Sequence, residues 1–208
     1  MSTVGIVCEY NPFHKGHLYQ IEQAKKLTEA DHVVCFMSGN FLQRGIPALA
    51  DKFTRAEAAI KCGVDVIFEI PFVYSTSSAR DYATAAVTMM DMSGAIDFIS
   101  FGAETDDLVL LSQIADIVEN EPPQVSDSIR RSVASGMTYG AARATAIEDY
   151  LQKKDIVRNN PSNSSSSVSK SNISSVMSSP NNILAIEYLA ALKRIKSKIK
   201  PVLSLIHI

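Results

Sequence analysis

The chain has no excess of either charge, few cysteines and no long apolar run, and each shortage closes off a class of protein. Its 20 Lys and Arg against 22 Asp and Glu leave a formal net charge of −2 and a pI near 6.1. No global basic field therefore marks it for nucleic acid, although a local patch would suffice. The three cysteines, Cys8, Cys35 and Cys62, are odd in number and lack CxxC spacing. Cys8 and Cys35 sit in apolar segments and read as buried, reduced thiols rather than a disulfide framework. No apolar stretch reaches the ~18 residues that a membrane span requires. The N-terminus lacks a basic region followed by an apolar run, so no membrane partner is expected and the location is expected to be cytoplasmic. His, Cys and carboxylates nowhere take up metal-ligand spacing, His32 and His207 included, so no protein-held metal is expected.

What is present is an ordinary globular composition, 46% hydrophobic and 20% charged over 208 residues. That length is enough for one substantial core and a small appendage. Four β-rich runs, Val4–Tyr10, His32–Met37, Val64–Ile70 and Ile96–Phe101, recur at intervals of roughly 30 residues, the length of a βαβ unit. They are continuously apolar rather than alternating, as parallel strands covered on both faces are. Helical patterns separate them: Arg55–Lys61, then Ala79–Met92 with Tyr82, Ala83, Ala86, Met89 and Met90 on one stripe. Leu108, Leu111, Ile114, Ala115 and Val118 mark the helix after the fourth strand. This alternation predicts an α/β fold, a Rossmann-like doubly wound parallel sheet followed by a small helical region.

Beyond Glu119 the strands stop. Pro122-Pro123 breaks the chain, and Ser126–Ser135 and Tyr139–Leu151 read as helices. Residues 162–179 hold 11 serines in 18 positions, a composition too poor in apolar surface to order itself. A last helix runs from Asn182 to about Ile195, started by Pro180 and Asn181. The expected organisation is a core over 1–120, a helical extension over 121–160, a flexible Ser-rich loop over 161–180, and a helix with a basic tail over 181–208.

The chemistry-bearing element is His14-Lys15-Gly16-His17. It lies where the first strand gives way to a helix marked by Leu18, Ile21, Ala24 and Leu27. A helix N-terminus offers unpaired N–H groups and partial positive charge, which suit phosphate. Glycine lets a ligand approach the backbone, and two imidazoles three residues apart can reach one anion. In doubly wound sheets ligands bind beyond the carboxyl ends of the strands, where this tetrad lies. The residues thus read as a nucleotide phosphate site, with a purely structural turn as the rival. Lys15 either joins the phosphate or points to solvent. Gly102, after the fourth strand, either leaves room for a nucleotide or is a turn glycine. Asn181 by itself reads as a helix cap. Arg44, Lys52 and Arg55 follow the second strand, and either hold phosphates or form a solvated charged loop. Lys193–Lys200 carries five positive charges in eight residues, either a solvated face or a contact for RNA phosphates. Ile173-Ser174-Ser175 superficially resembles the ISSTxxR motif of adenylyltransferases but lacks its arginine, and low complexity explains it better.

Several segments in order carry a closer likeness. Gly5-Ile6-Val7-Cys8-Glu9-Tyr10-Asn11-Pro12-Phe13-His14-Lys15-Gly16-His17 is followed by Met37-Ser38-Gly39-Asn40-Phe41-Leu42-Gln43-Arg44-Gly45 and Asp51-Lys52-Phe53-Thr54-Arg55-Ala56-Glu57. Glu69-Ile70-Pro71-Phe72, Phe101-Gly102-Ala103-Glu104 and Asn181-Asn182-Ile183-Leu184-Ala185-Ile186-Glu187-Tyr188-Leu189 continue it. Together they resemble the bacterial tRNA(Met) cytidine acetate ligases, members of the HIGH-motif nucleotidyltransferase superfamily. The resemblance implies a ligase that activates acetate with ATP as acetyl-adenylate and passes the acetyl group to the wobble cytidine of elongator tRNA(Met). It implies ATP contacts from Val7, Cys8, Glu9, Tyr10, Asn11, Pro12, Phe13, His14, Lys15, Gly16, His17, Leu18, Tyr19 and Gln20, and from Gly102 and Asn181. His14 and His17 take the catalytic role on the triphosphate, and Mg2+ arrives with the nucleotide. Acetate and tRNA are the implied partners; oligomeric state is open.

Two departures stand out. Family members are roughly twice as long and carry a Thr-Ile-x-Arg-like segment, where this chain reads Val202-Leu203-Ser204-Leu205-Ile206-His207-Ile208. Ile46 replaces the usual acidic residue of the Gln-Arg-Gly segment. The expectation is a C-terminally incomplete chain. Its rivals are a small-molecule adenylyltransferase and a truncated ATP-binding module without ligase activity.

Overall fold

The computed structural model describes residues 1–158 and 173–205. Five strands, β1 (Thr3–Cys8), β2 (His32–Ser38), β3 (Val66–Ile70), β4 (Phe98–Ala103) and β5 (Lys200–Leu205), form one sheet in the order β3-β2-β1-β4-β5. Every neighbouring pair is parallel. The chain builds outward from β1 through β2 to β3, then returns to the other side of β1 with β4. The boundary between β1 and β4 is therefore the topological switch point, where ligands of doubly wound sheets bind.

Helices cover both faces. On one face α1 (Lys15–Thr28) and α2 (Lys52–Lys61) bury Ile21, Ala24 and Ala59 against Val4, Ile6, Cys8, Val33, Cys35 and Met37. On the other, α4 (Ala79–Ser93), α5 (Leu108–Asn120) and α9 (Pro180–Arg194) pack on Phe36, Ile99 and Phe101, with α6 (Pro123–Ala134) and α7 (Tyr139–Arg158) outside them. Ser78 caps α4 by accepting the Asp81 N–H, and Gly94 ends it at φ 63°, a backbone state that side-chain-bearing residues avoid. Residues Ala185 to Leu192 of α9 are all buried, so this helix lies inside the molecule rather than on it.

The expected doubly wound α/β sheet is what forms, with three additions. The basic tail contains β5, which pairs with β4 from Phe98↔Lys200 to Ala103↔Leu205. Its lysine-rich start and Pro201 hide it in the sequence, and both are tolerated because the strand is at the sheet edge. A short α3 (Phe72–Ser75) follows β3, and α8 (Ile173–Ser178) forms within the Ser-rich stretch. The rest of that stretch, 159–172, and residues 206–208 with His207, lie outside the described residues.

The basic run is largely spent on the fold. Lys193 pairs with Asp116 of α5, and Arg194 pairs bidentately with Glu119 while donating to Thr84 Oγ1 of α4. Lys200 lies over the Phe98 ring. These contacts fasten α9 and β5 to their neighbours.

Candidate active site

β1 ends at Cys8, and the chain leaves the sheet through Tyr10 in the left-handed region at φ 49°. That backbone state costs roughly 1–2 kcal/mol for a non-glycine residue. It is held by burial of the Tyr10 ring, which is 1% exposed and packs edge-on against Phe13 and His17. Its hydroxyl lies 3.2 Å from Cys35 Sγ. Burial pushes both the Tyr10 phenol and the Cys8 thiol well above their ordinary values, so neither ionises. The side chains of Cys8 and Tyr10 therefore support the turn from below, and a ligand here meets the backbone and the residues that follow.

Those residues cap α1 in an unusual way. His14 is the N-cap: its Nδ1 accepts the Gly16 N–H at 3.1 Å, and the His14 N–H donates to His17 Nδ1 at 3.3 Å. This is a capping box in which imidazoles replace the usual hydroxyl and carboxylate. With Nδ1 accepting, each neutral ring carries its proton on Nε2. The two rings stack at 3.8 Å between centroids, which sets the two Nε2–H donors side by side at the helix N-terminus. Burial, and secondarily the His14 ring, lower the His17 pKa to about 4, so it is uncharged at neutral pH. His17 thus offers a hydrogen bond beside the positive end of the α1 dipole rather than a fixed cation.

The other sequence candidates fall into three groups. Gly102, at the carboxyl end of β4, and Asn181, in the first turn of α9, lie at the same edge of the sheet as the histidines. The Glu104 carboxylate accepts the Asn181 and Asn182 N–H groups and Asn181 Nδ2, while Asn182 Oδ1 accepts the Glu104 and Thr105 N–H groups. This reciprocal lock fixes the start of α9 against the end of β4. Within the Val7–Gln20 stretch, Glu9 accepts the Gln43 N–H at 2.7 Å and Asn11 accepts the Leu49 N–H at 2.6 Å. Asn11–Pro12 is cis. Lys15 and Tyr19 are exposed at the start of α1, and Leu18 and Gln20 are half-buried.

Arg44 is exposed in the loop after β2, and Lys52 pairs with Glu69 at 2.5 Å. Arg55 behaves differently from a phosphate ligand. It is 2% exposed, and its guanidinium donates to the carbonyls of Ala50, Glu9, Ser38 and Gly39. It ties the carboxyl ends of β1 and β2 together, with four hydrogen bonds to main-chain carbonyls engaging most of its five N–H donors. The sequence puts Arg55 beside Lys52 in a charged segment; only the backbone path shows that one side chain points in and the other out.

Sequence reasoning also leaves Glu104 and Asn182 without a role, although both lie inside matched segments. Two hydroxyls on the α1 side of the sheet, Ser100 of β4 and Ser204 of β5, are buried without hydrogen-bond partners and flank Gly102. Among the described residues no group of three or more His, Cys, Asp or Glu is placed to hold a metal ion, and no helix is long and apolar enough to cross a membrane.

Comparison with known proteins adds independent findings. A family model described as HIGH Nucleotidyl Transferase matches residues 1–204. A tRNA(Met) cytidine acetate ligase of Caldanaerobacter subterraneus subsp. tengcongensis is 44% identical over 201 residues, covering 97% of this chain and 46% of the relative. The ligase of the same name from Halothermothrix orenii is 42% identical over 202 residues, with 97% and 46% covered. The crystal structure of Thermotoga maritima TmcAL bound with alpha-thio ATP superposes with a TM-score of 0.88 at 33% identity, covering 99% of this chain and 47% of that one. The chain thus spans about half the length of the curated relatives it matches.

Proposed function

The chain belongs to the HIGH nucleotidyltransferase family, and from that premise we propose that it is an ATP-dependent tRNA(Met) cytidine acetate ligase of the cytoplasm. One observation carries the reading: the stacked Nε2–H donors of His14 and His17 sit at the switch point of a chain about 40% identical, almost end to end, to ligases of that name. The T. maritima neighbour with its ATP analogue supports ATP as the nucleotide.

In the proposed reaction an acetate oxygen attacks the α-phosphorus of ATP. The bond to the β-phosphate bridging oxygen breaks, giving acetyl-adenylate and pyrophosphate. The exocyclic amine of the wobble cytidine then attacks the acetyl carbonyl, the bond to AMP breaks, and the amine gives up a proton. Adenylyl transfer needs positioning and charge stabilisation rather than a protein nucleophile. His14, His17 and the α1 N-terminus hold the triphosphate, with Lys15 at the rim. The flat carboxyl ends of β1 and β4, with Gly102, seat the nucleoside, and Asn181 contacts it from α9. Mg2+ comes with the nucleotide and supplies charge neutralisation to the triphosphate; the sequence provides no cage for it. Arg44 and Lys52 face the tRNA.

The rival reading is a nucleotide-binding module that activates nothing or stops at the adenylate. Incubation with ATP, radiolabelled acetate and tRNA(Met) separates them. The ligase gives acetyl-adenylate, pyrophosphate and labelled tRNA. Adenylate without labelled tRNA limits the chain to the first step, and no acetyl-adenylate refutes the ligase reading. A small-molecule adenylyltransferase would release pyrophosphate only when its own acceptor is supplied, and would do so without acetate.

A further inference from the structure

The surface beside the nucleotide site is aromatic, and the fold does not use it. Phe53 is 75% exposed and Phe72 60%, and Phe41 and Tyr74 are exposed as well. They lie on three separate segments, the loop after β2, the first turn of α2, and α3, yet they form one neighbourhood. Phe41 and Phe72 meet edge-on at 5.4 Å. Asn40 accepts the Lys52 N–H and so sets Phe53 next to the Phe41 loop, while Ser75 Oγ donates to the Phe41 carbonyl. Bonds from the turn that carries the histidines reach the same loop, from Leu49 to Asn11 and from Gln43 to Glu9. The aromatic surface is therefore fixed relative to His14 and His17.

Its charges are selected as well. Asp51 is spent on capping α2 through the Phe53 and Thr54 N–H groups and the Thr54 hydroxyl. Asp81 accepts from Ser78 Oγ, and Glu69 is paired with Lys52. Arg44 and Arg80 are exposed, and neither makes an ion pair among the described residues. Arg44 follows Gln43 in the loop that carries Phe41, and Arg80 stands three residues beyond Ser77, whose carbonyl accepts from Gln43 Nε2, so both arginines belong to the segments that this bond joins. Exposed rings interleaved with free guanidinium groups bind unpaired nucleic-acid bases by stacking and the adjoining phosphates by charge. Ile46, Leu49 and Val73 are exposed on the same segments, but an interface built on aliphatics alone would need neither the rings nor the cations.

We propose that Phe41, Phe53 and Phe72, with Arg44 and Arg80, form a stacking platform for the unpaired bases of an RNA loop, holding that loop so that one base reaches the nucleotide site. The proposal rests on the function above for the identity of the RNA, the anticodon loop, and specifies which face of the protein receives it. Stacking explains why large apolar rings remain in water at this edge.

The test uses the whole chain and a fluorescent stem-loop RNA with the tRNA(Met) anticodon loop, against the same strand annealed to its complement. Anisotropy should show the loop bound more tightly than the duplex. Phe53→Ser and Phe72→Ser should each weaken loop binding by roughly 5- to 100-fold, the worth of one base–aromatic stack. ATP binding and thermal stability of both variants should stay at the wild-type level, since these rings touch neither nucleotide nor core. Arg44→Ala should flatten the salt dependence. Equal affinity of the variants, equal affinity for loop and duplex, or no RNA binding by the wild type overturns the proposal. So does a result in which the two substitutions abolish self-association in sedimentation and leave RNA binding intact, which would assign the surface to a second copy. Loop binding that depends on Phe53 without acetyl-adenylate formation upholds the platform and refutes the ligase reading instead.

Discussion

Replacing Arg55 by alanine should destabilise the protein severely, for a reason unconnected with phosphate. The side chain is 2% exposed, and its guanidinium serves four carbonyls, of Ala50, Glu9, Ser38 and Gly39. A hydrogen bond to a charged group is worth roughly 1.5–3 kcal/mol. Four of them do not simply add, because burying the guanidinium has its own desolvation cost; that cost also pulls its pKa down, against the raising influence of the carboxylates of Glu9, Asp51 and Glu69. Removing the side chain leaves up to four carbonyls without this donor, at about 1–3 kcal/mol for each acceptor that stays buried and unpaired, offset in part by the relieved desolvation, so a net loss of about 3–5 kcal/mol is expected. At roughly 2–4 °C per kcal/mol for a domain of this size, the melting temperature should fall by about 6–20 °C. Arg55→Lys keeps the charge but cannot span four acceptors at once, so it should fall in between. Calorimetry and urea unfolding of the three proteins read this directly. A loss below about 1 kcal/mol for Arg55→Ala would refute the clamp and return Arg55 to the pool of free cations.

The His17 ring should make stability depend on pH. Its pKa of about 4 in the folded chain lies below the ordinary 6.5, so its contribution is complete above pH 6.5 and is lost as the pH falls toward 4. The full difference is about 3 kcal/mol, which screening at a half-buried ring reduces to about 1 kcal/mol; a urea midpoint equally pH-dependent in His17→Asn would contradict it. Asn182→Ala removes a buried side chain whose Oδ1 accepts the part-buried Glu104 and Thr105 N–H groups and should cost about 1–2 kcal/mol in thermal unfolding, whereas Asn181→Ala should cost far less. Under the proposed function, Asn181→Ala should instead weaken ATP binding, and unchanged affinity would remove it from the nucleotide site.

The sheet was legible because four of its strands are apolar-rich runs at a βαβ period; β1, β2 and β4 are buried on both faces, whereas β3, at the other edge, leaves Val66 and Phe68 exposed and was legible from its β-branched and aromatic residues. The fifth was not, because an edge strand exposes one side and can begin Lys200-Pro201 without penalty. The place of the histidine turn, at the carboxyl end of β1 and the start of α1, was legible from residue type and spacing alone. Its detail was not: that each imidazole caps α1 through Nδ1, leaving Nε2–H outward, depends on rotamers that spacing does not specify. Arg55 and the lysines of the C-terminal run share a further lesson. Charge in a sequence shows where a cation is, and only packing shows whether it faces a ligand, a carbonyl or a carboxylate. The pair Glu104 and Asn182 was invisible for the complementary reason, since 78 residues separate partners that meet across β4 and α9.

The central claim is that the two outward Nε2–H groups at the start of α1 bind the phosphates of ATP. Calorimetric titration of the wild type, His14→Ala and His17→Ala with ATP and with adenosine tests it most directly. Each substitution should weaken ATP binding by about tenfold or more, the worth of a charge-assisted hydrogen bond, while leaving adenosine affinity unchanged. ATP affinity that survives both substitutions, or a loss that falls equally on adenosine, would contradict the assignment of the histidine turn to phosphate.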